Sequence, residues 1–426
     1  MRTLSSISLF LVLLIPLAAR EPTPVEIAPA INALGLDLYR QQIKTAGGQG
    51  VLLSPYSIAM ALAMTYAGAD GETKTEMQRV LRLPTDSAVS SVAFEALATQ
   101  LNDVARESER HVAQLKENGG DATPLQLSVA NRLFAQQGYA LRRPFLAEVR
   151  KHFGSEVELL DFKNDAAHTR EVINGWVAAQ ARDRIRDLLP EDAPSRDARL
   201  ALVNALYLKA AWEDEFHENA TKPEPFHFGR SLSAPVPTML TQRKLGYAKR
   251  AGYSVVTLPY ETGRLQFVLF VPDAVDGLAK LEAALTAEGL GKCADLDRRE
   301  VILHLPKFKL APATMSLGDA LQALGLKTAF DVPKRSANFD RMAPRKPDDY
   351  LYIGQVFHKT WLSLDEHGTE AAAATAVMMM FAGSATPRDE PPPVEVRADR
   401  PFLFAIQHVD SGACLFLGRV TDPRRE

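Results

Sequence analysis

The sequence predicts an α+β fold in which helices cover large β-sheets, and three observations point to it. Residues 200–208, 265–271 and 414–420 are near-continuous apolar runs, the first interrupted by Asn204. Strands of that kind are usually covered on both faces. The first half of the chain instead carries helix start and stop signals. Finally, the 426 residues are 46% hydrophobic and 24% charged, ordinary globular composition, with no internal repeat and no long linker before residue 383.

In chain order, the N-terminus reads as an export signal. Arg2 supplies a minimal positive region, residues 9–17 are an apolar core, and Leu17-Ala18-Ala19 offers small residues for a cut after Ala19. That core is too short to span a bilayer. A signal peptide over 1–19 and a secreted product, extracellular or periplasmic, are therefore expected. Ser54-Pro55 opens a helix, Ser as cap and Pro in the first helical position, running to about Gly68. Residues 127–134 look like a strand. Arg143-Pro144 starts another helix through Phe153, ending at Gly154. Strands then follow over 200–208, 265–271, 301–308, 356–365, 402–407 and 414–420. Residues 383–399 contain Pro387 and Pro391-Pro392-Pro393, so they cannot form a central strand and read as a solvated loop.

The segment Gly368-Thr369-Glu370-Ala371-Ala372-Ala373-Ala374-Thr375-Ala376-Val377 has two local readings. Alanine has the highest helix propensity, so composition favours a helix capped by Thr369. As a strand, period two puts Thr369, Ala371, Ala373, Thr375 and Val377 on one uncharged face. Glu370 is then the single charge on the other. A strand with so little bulk could slot between strands already paired.

Charge and motifs exclude several functions. The net charge is −3 and no basic stripe collects phosphates, so nucleic acid is not an expected partner. There is no G-x-S-x-G elbow, no phosphate-binding G-x-x-x-x-G-K, no H-E-x-x-H and no Cys/His ligand set. No metal or cofactor is expected, and no membrane segment. Cys293 and Cys414 are too few for a disulfide framework; they could pair, but two buried free thiols are expected.

Several blocks resemble one family, in order. Leu53-Ser54-Pro55-Tyr56-Ser57-Ile58 resembles the first buried helix of the serpins. Val203-Asn204-Ala205-Leu206-Tyr207-Leu208-Lys209 with Trp212, and Leu303-His304-Leu305-Pro306-Lys307-Phe308, are similar to serpin sheet strands. Gly368 to Ala374 resembles the serpin hinge. Asp399-Arg400-Pro401-Phe402-Leu403-Phe404 and Phe416-Leu417-Gly418-Arg419-Val420 resemble the C-terminal strands. The resemblance runs from about Ile31 to the end. It implies a serpin fold of three β-sheets and about nine helices, with residues 20–426 as one domain. An exposed reactive-centre loop would occupy about 368–398. In such a protein a serine protease cleaves the loop, and the freed hinge (Gly368, Thr369, Glu370, Ala371, Ala372, Ala373, Ala374) inserts into the central sheet. The acyl-enzyme is thereby trapped as a covalent complex.

The resemblance also implies roles for single residues. Counting sixteen from Glu366 puts the scissile bond at Ala382–Gly383, suited to an elastase-like or subtilisin-like protease. Phe381 and Met380 are the alternatives, and a cut after Arg388 would bring Pro387 into the inserted arm. Ser54, Ser57, Asn204 and His358 match the shutter beneath the sheet. Trp212, Lys307 and Glu366 match the breach where the hinge enters. The family's basic cofactor helix is not evident: residues 105–118 mix Arg106, Arg110 and Lys116 with Glu107, Glu109 and Glu117, so glycosaminoglycan binding is not expected. The protein should be a monomer and not an enzyme. A non-inhibitory serpin (chaperone, carrier or storage protein) and a cross-class inhibitor of cysteine proteases are the other readings; the small-residue hinge favours inhibition. Overpacking an inserted strand costs about 1–3 kcal/mol per site, and Pro lacks the ladder N–H. Ala371→Pro should therefore give a loop that is cleaved without forming a covalent complex. Unchanged complex yield on a denaturing gel would refute this.

Overall fold

The computed structural model describes residues 23–120, 122–370 and 391–424. The expected signal segment 1–19, the alanines Ala371, Ala372, Ala373 and Ala374 of the expected hinge, and the expected scissile-bond residues Met380, Phe381, Ala382 and Gly383 lie outside them. Nine α-helices are present among the described residues: α1 (Pro24–Thr45), α2 (Pro55–Ala67), α3 (Gly71–Leu81), α4 (Ser87–Glu117), α5 (Arg143–Phe153), α6 (Ala166–Gln180), α7 (Leu278–Ala284), α8 (Ala287–Gly291) and α9 (Gly318–Ala323). The strands are β1 (Val51–Leu53), β2 (Gln126–Gln136), β3 (Val157–Leu160), β4 (Leu200–Ala211), β5 (Lys222–His227), β6 (Ser233–Arg250), β7 (Tyr253–Pro259), β8 (Leu265–Pro272), β9 (Arg298–Pro306), β10 (Phe308–Leu310), β11 (Met315–Ser316), β12 (Ile353–Thr360), β13 (Leu362–Asp365), β14 (Gly368–Thr369), β15 (Val394–Arg397), β16 (Phe402–His408) and β17 (Cys414–Val420).

The central sheet runs β10-β13-β14-β4-β12-β11, with β2 on the other edge of β4 and β3 on β2. The remaining strands run β1-β17-β16-β8-β7-β6-β9-β15, with β5 on β6. The 18-residue β6 joins the second and third sheets of the three-sheet arrangement. Its N-terminal part pairs with β5 and β9, and its last five residues pair with β7.

The main core lies between these layers, with α2 buried along its whole length. Ser54 caps that helix by accepting from the Ser57 N–H at 3.1 Å, and Pro55 takes the first helical position. Gly154 ends α5 in the left-handed conformation (φ 57°) that glycine adopts without penalty. Phe404 stacks on Phe267 at 5.4 Å and tilts against Phe308 at 5.3 Å, tying the two sheets together. A second, smaller core covers the outer face of the central sheet, where α6 sets Ile173 and Val177 against Phe134, Val203 and Phe357. Cys293 and Cys414 are both buried free thiols, and burial raises both pKa values.

Three expectations need correction. The run 301–308 is two strands, because the chain leaves β9 at Pro306 and enters the central sheet as β10. The run 356–365 breaks at Trp361 into β12, which pairs with β4, and β13, which does not. Residues 383–399 are not all loop: β15 pairs in parallel with β9 at the sheet edge, burying Val396. The three prolines precede β15, and an edge position tolerates their missing donors.

Candidate functional site

The top of the central sheet is where the chain departs from regular pairing. From Ile353 to Thr360, β12 pairs in parallel with β4 from Leu200 to Leu206. Above that level β13 and β4 are separated by β14, a two-residue wedge. Gly368 pairs with Asp365 on one side and Ala211 on the other; Thr369 pairs with Leu364 and Ala210. Glu366 and His367 form the tight turn of this β13–β14 hairpin. No larger residue fits at 368: a Cβ there would lie 2.1 Å from the Ala210 carbonyl oxygen, and the backbone has φ +149°.

Trp212, Lys307 and Glu366, the three residues expected at the breach, meet here. Lys307 Nζ lies 2.6 Å from Glu366, whose other oxygen accepts from Thr221 Oγ1 at 2.7 Å. Burial works against the Glu366 charge, but the Lys307 and Thr221 bonds outweigh it and hold the carboxyl below its usual range. Trp212 donates its indole N–H to the Asp365 carbonyl (3.0 Å) and its backbone N–H to that of His367 (2.9 Å). It stacks on Tyr260 at 4.7 Å, and the Tyr260 and Thr369 hydroxyls share a hydrogen bond of 2.6 Å. Thr369 thus points into the core, 1% exposed.

The opposite face carries Glu370. Its N–H donates to the Ser363 carbonyl at 2.9 Å. Its φ of +48° then turns the chain in the left-handed region, which strains a residue with a Cβ. The carboxylate is 11% exposed and ion-paired to Arg184, whose guanidinium sits 5.2 Å over the Trp361 ring. Burial, with the Glu370 charge second, pushes the Tyr207 phenol up to about 12.

Lower in the sheet lie Ser54, Ser57, Asn204 and His358, the four residues expected to form the shutter. His358 is fully buried. Its Nε2 accepts from the Ser54 backbone N–H at 3.0 Å, so Nδ1 carries the proton and donates to Asn204 Oδ1. Burial drops its pKa to about 3, which keeps the ring neutral. Ser57 Oγ donates to Asn131 Oδ1 at 2.9 Å, and Asn131 faces Asn204 across the β2–β4 ladder.

Sequence reasoning missed Asn131, Arg184, Tyr207, Thr221, Tyr260 and Trp361. Only Asn131 had a local signal, a polar residue interrupting an apolar strand, as Asn204 does. The described residues hold no group of three or more metal-ligating side chains, and no helix among them is long and apolar enough to cross a membrane.

His367 sits in the turn that starts β14. Its Nδ1 is 2.9 Å from Glu215 and its Nε2 3.2 Å from Glu218. Burial opposes its charge, but Glu215, Asp365 and Glu218 together hold its pKa above the usual value. A raised folded pKa gives stability that is fully present below about pH 6.5 and is lost as pH rises through the raised value. His367→Gln should remove that part of the pH dependence from the thermal unfolding midpoint. Identical pH profiles for the two proteins would show that this contact contributes nothing.

The sequence profile of the serpin (serine protease inhibitor) family matches residues 29–423. Serpin B10 of Sorex araneus is 31% identical over 409 residues, covering 93% of this chain and 99% of that protein. Serpin B10 of Homo sapiens is 30% identical, with the same coverage. Uncleaved ovalbumin superposes with a TM-score of 0.76 at 27% identity, covering 93% of this chain and all of that one. Serpin48, described as a highly specific serpin of the insect Tenebrio molitor, gives 0.78 at 26% identity, covering 93% and 98%. Fold, ordered motifs and relatives agree: the chain belongs to the serpin family, whose members are in general protease inhibitors rather than enzymes.

Proposed function

We propose that this chain is an exported, monomeric suicide inhibitor of serine proteases, with an elastase-like or subtilisin-like target. The observation that carries the reading is the wedge of Gly368 and Thr369 already lodged between β13 and β4 in the intact chain. An added strand has begun there, and the alanines that follow have no bulk to stop it. The target's serine oxygen attacks the carbonyl carbon of Ala382. An ester forms, the peptide bond breaks, and the Gly383 amine leaves with the proton. Phe381 and Met380 are the alternative acylation points.

Residues 371 onward then extend β14 downward, displacing β12 from β4 one pair at a time. The ester-linked protease is carried away from its starting pole before water completes the cycle. In this reading Ser54, Ser57, Asn204 and His358 keep the lower sheet closed until the loop is cut. Trp212, Lys307 and Glu366 fix the point of entry. Export rests on residues 1–19 alone, and the similarity to the Serpin B10 chains lends it no support.

The test is incubation of the mature protein with elastase, subtilisin, chymotrypsin and trypsin, followed by denaturing electrophoresis and sequencing of the released fragment. A covalent complex with a fragment starting at Gly383 is expected. Cleavage with no complex for any protease would overturn the inhibitory reading.

A further inference from the structure

The segment that leaves β4 for β5 is strapped to the β13–β14 turn. Two straps are backbone: Trp212 N–H donates to the His367 carbonyl and Phe216 N–H to that of Glu366, each at 2.9 Å. The other two run from Glu215 and Glu218 to the ring of His367. The remaining acids of the segment are engaged elsewhere, Glu213 with Arg298 and Asp214 with Arg243, each at 3.8 Å. His367 directly precedes Gly368, which has no room to shift because a Cβ there would meet the Ala210 carbonyl at 2.1 Å. Strand β14 is only two residues long, so few ladder bonds seat it and the turn must do the rest.

The ring contacts demand one protonation state. Nδ1 faces Glu215 at 2.9 Å and Nε2 faces Glu218 at 3.2 Å. A neutral imidazole has one N–H and one lone pair, and an ionised carboxylate only accepts. Both contacts are therefore hydrogen bonds only while the ring is an imidazolium; without the second proton, a lone pair faces a carboxylate. The Glu215 contact is the better shielded, at 25% exposure against 70% for Glu218, so it is the less screened by water. A third negative charge comes from β13, where Asp365 Oδ1 accepts the His367 backbone N–H at 3.0 Å. Burial raises the Asp365 carboxyl, while His367 and Lys307 pull it down. Lys307 itself is paired with Glu366. Burial also opposes the His367 charge, and Glu215, Asp365 and Glu218 outweigh it.

We propose that His367 is a positioning residue that seats the hinge: its doubly held imidazolium pins the β13–β14 turn to residues 212–218, and loss of one proton loosens β14 between β13 and β4. On the inhibitory reading, on which this consequence rests, a seated turn fixes where residue 371 and those after it meet the sheet. A loosened one delays their entry, and more of the protease escapes by hydrolysis of the ester. Trapping should then be most efficient on the acidic side and fall as pH rises.

The first readout needs no protease. Amide hydrogen exchange at Gly368, Thr369 and Glu370 is followed in the intact protein from about pH 6 to pH 9 and corrected for the chemical exchange rate. Wild-type protection should fall about three- to tenfold across that range. His367→Gln should be poorly protected throughout. His367→Lys, whose charge does not titrate there, should stay protected throughout. The same pH dependence in wild type and His367→Gln would overturn the proposal. The second readout is the number of inhibitor molecules consumed per elastase trapped, as the ratio of His367→Gln to wild type, which cancels the protease's own pH dependence. That ratio should be about threefold at the acidic end and approach one at the basic end. Trapping with a ratio that does not change with pH would overturn the link to insertion. No complex with either protein would overturn the inhibitory reading instead, and the exchange profile would still decide how the hinge is seated.

Discussion

The rest of the structure depends on one gap in hydrogen bonding. Strands β12 and β4 form a parallel ladder, with one register shift between Ile353 and Gln355, that ends at Thr360 and Leu206, and above it β13 and β4 do not pair with each other. Gly368 and Thr369 fill that space and satisfy both edges. Extending the wedge breaks one ladder and makes two, for a net gain of one. Each hydrogen bond is worth about 0.5–1.5 kcal/mol net, while ordering backbone costs about 1–2 kcal/mol per residue. These nearly cancel, so side-chain burial and relief of existing strain decide the direction. The left-handed Glu370 is a local source of such strain, of order 1–3 kcal/mol.

What holds the intermediate arrangement is divided between two levels. At the top, Lys307 and Thr221 fix Glu366, and Arg184 fixes Glu370 from the segment that follows α6. Below, neutral His358 joins α2 to β4 through Ser54 and Asn204, directly in the path an advancing strand would take. The upper contacts are ionic and partly exposed, so they respond to pH and salt. The lower ones are buried and neutral, so they respond to neither near neutral pH. In the proposed mechanism, this division keeps the chain intact until its loop is cut.

Much of this was legible in the sequence where a single segment carries its own signal. Ser54-Pro55 specifies the start of α2, and the apolar run at 414–420 is β17 residue for residue. The breaks at Lys307 and Trp361 were not legible, because an apolar run says that a strand is covered and not which sheet covers it. Strand β15 was hidden by the prolines before it. Arg184 and Tyr260 meet residues more than a hundred positions away, in contacts that only tertiary packing creates. Asn131 could have been found, since its polar side chain interrupts an apolar strand as Asn204 does.

The central claim is that the sheet is poised to accept the rest of the loop. The most direct measurement is the thermal unfolding midpoint before and after the loop is nicked by a protease that is not trapped. For a chain of this size each kcal/mol is worth about 1 °C. The account predicts a rise of roughly 10 °C or more on cleavage. A midpoint that stays the same or falls would mean that β14 goes no further than Thr369, and the account would be wrong.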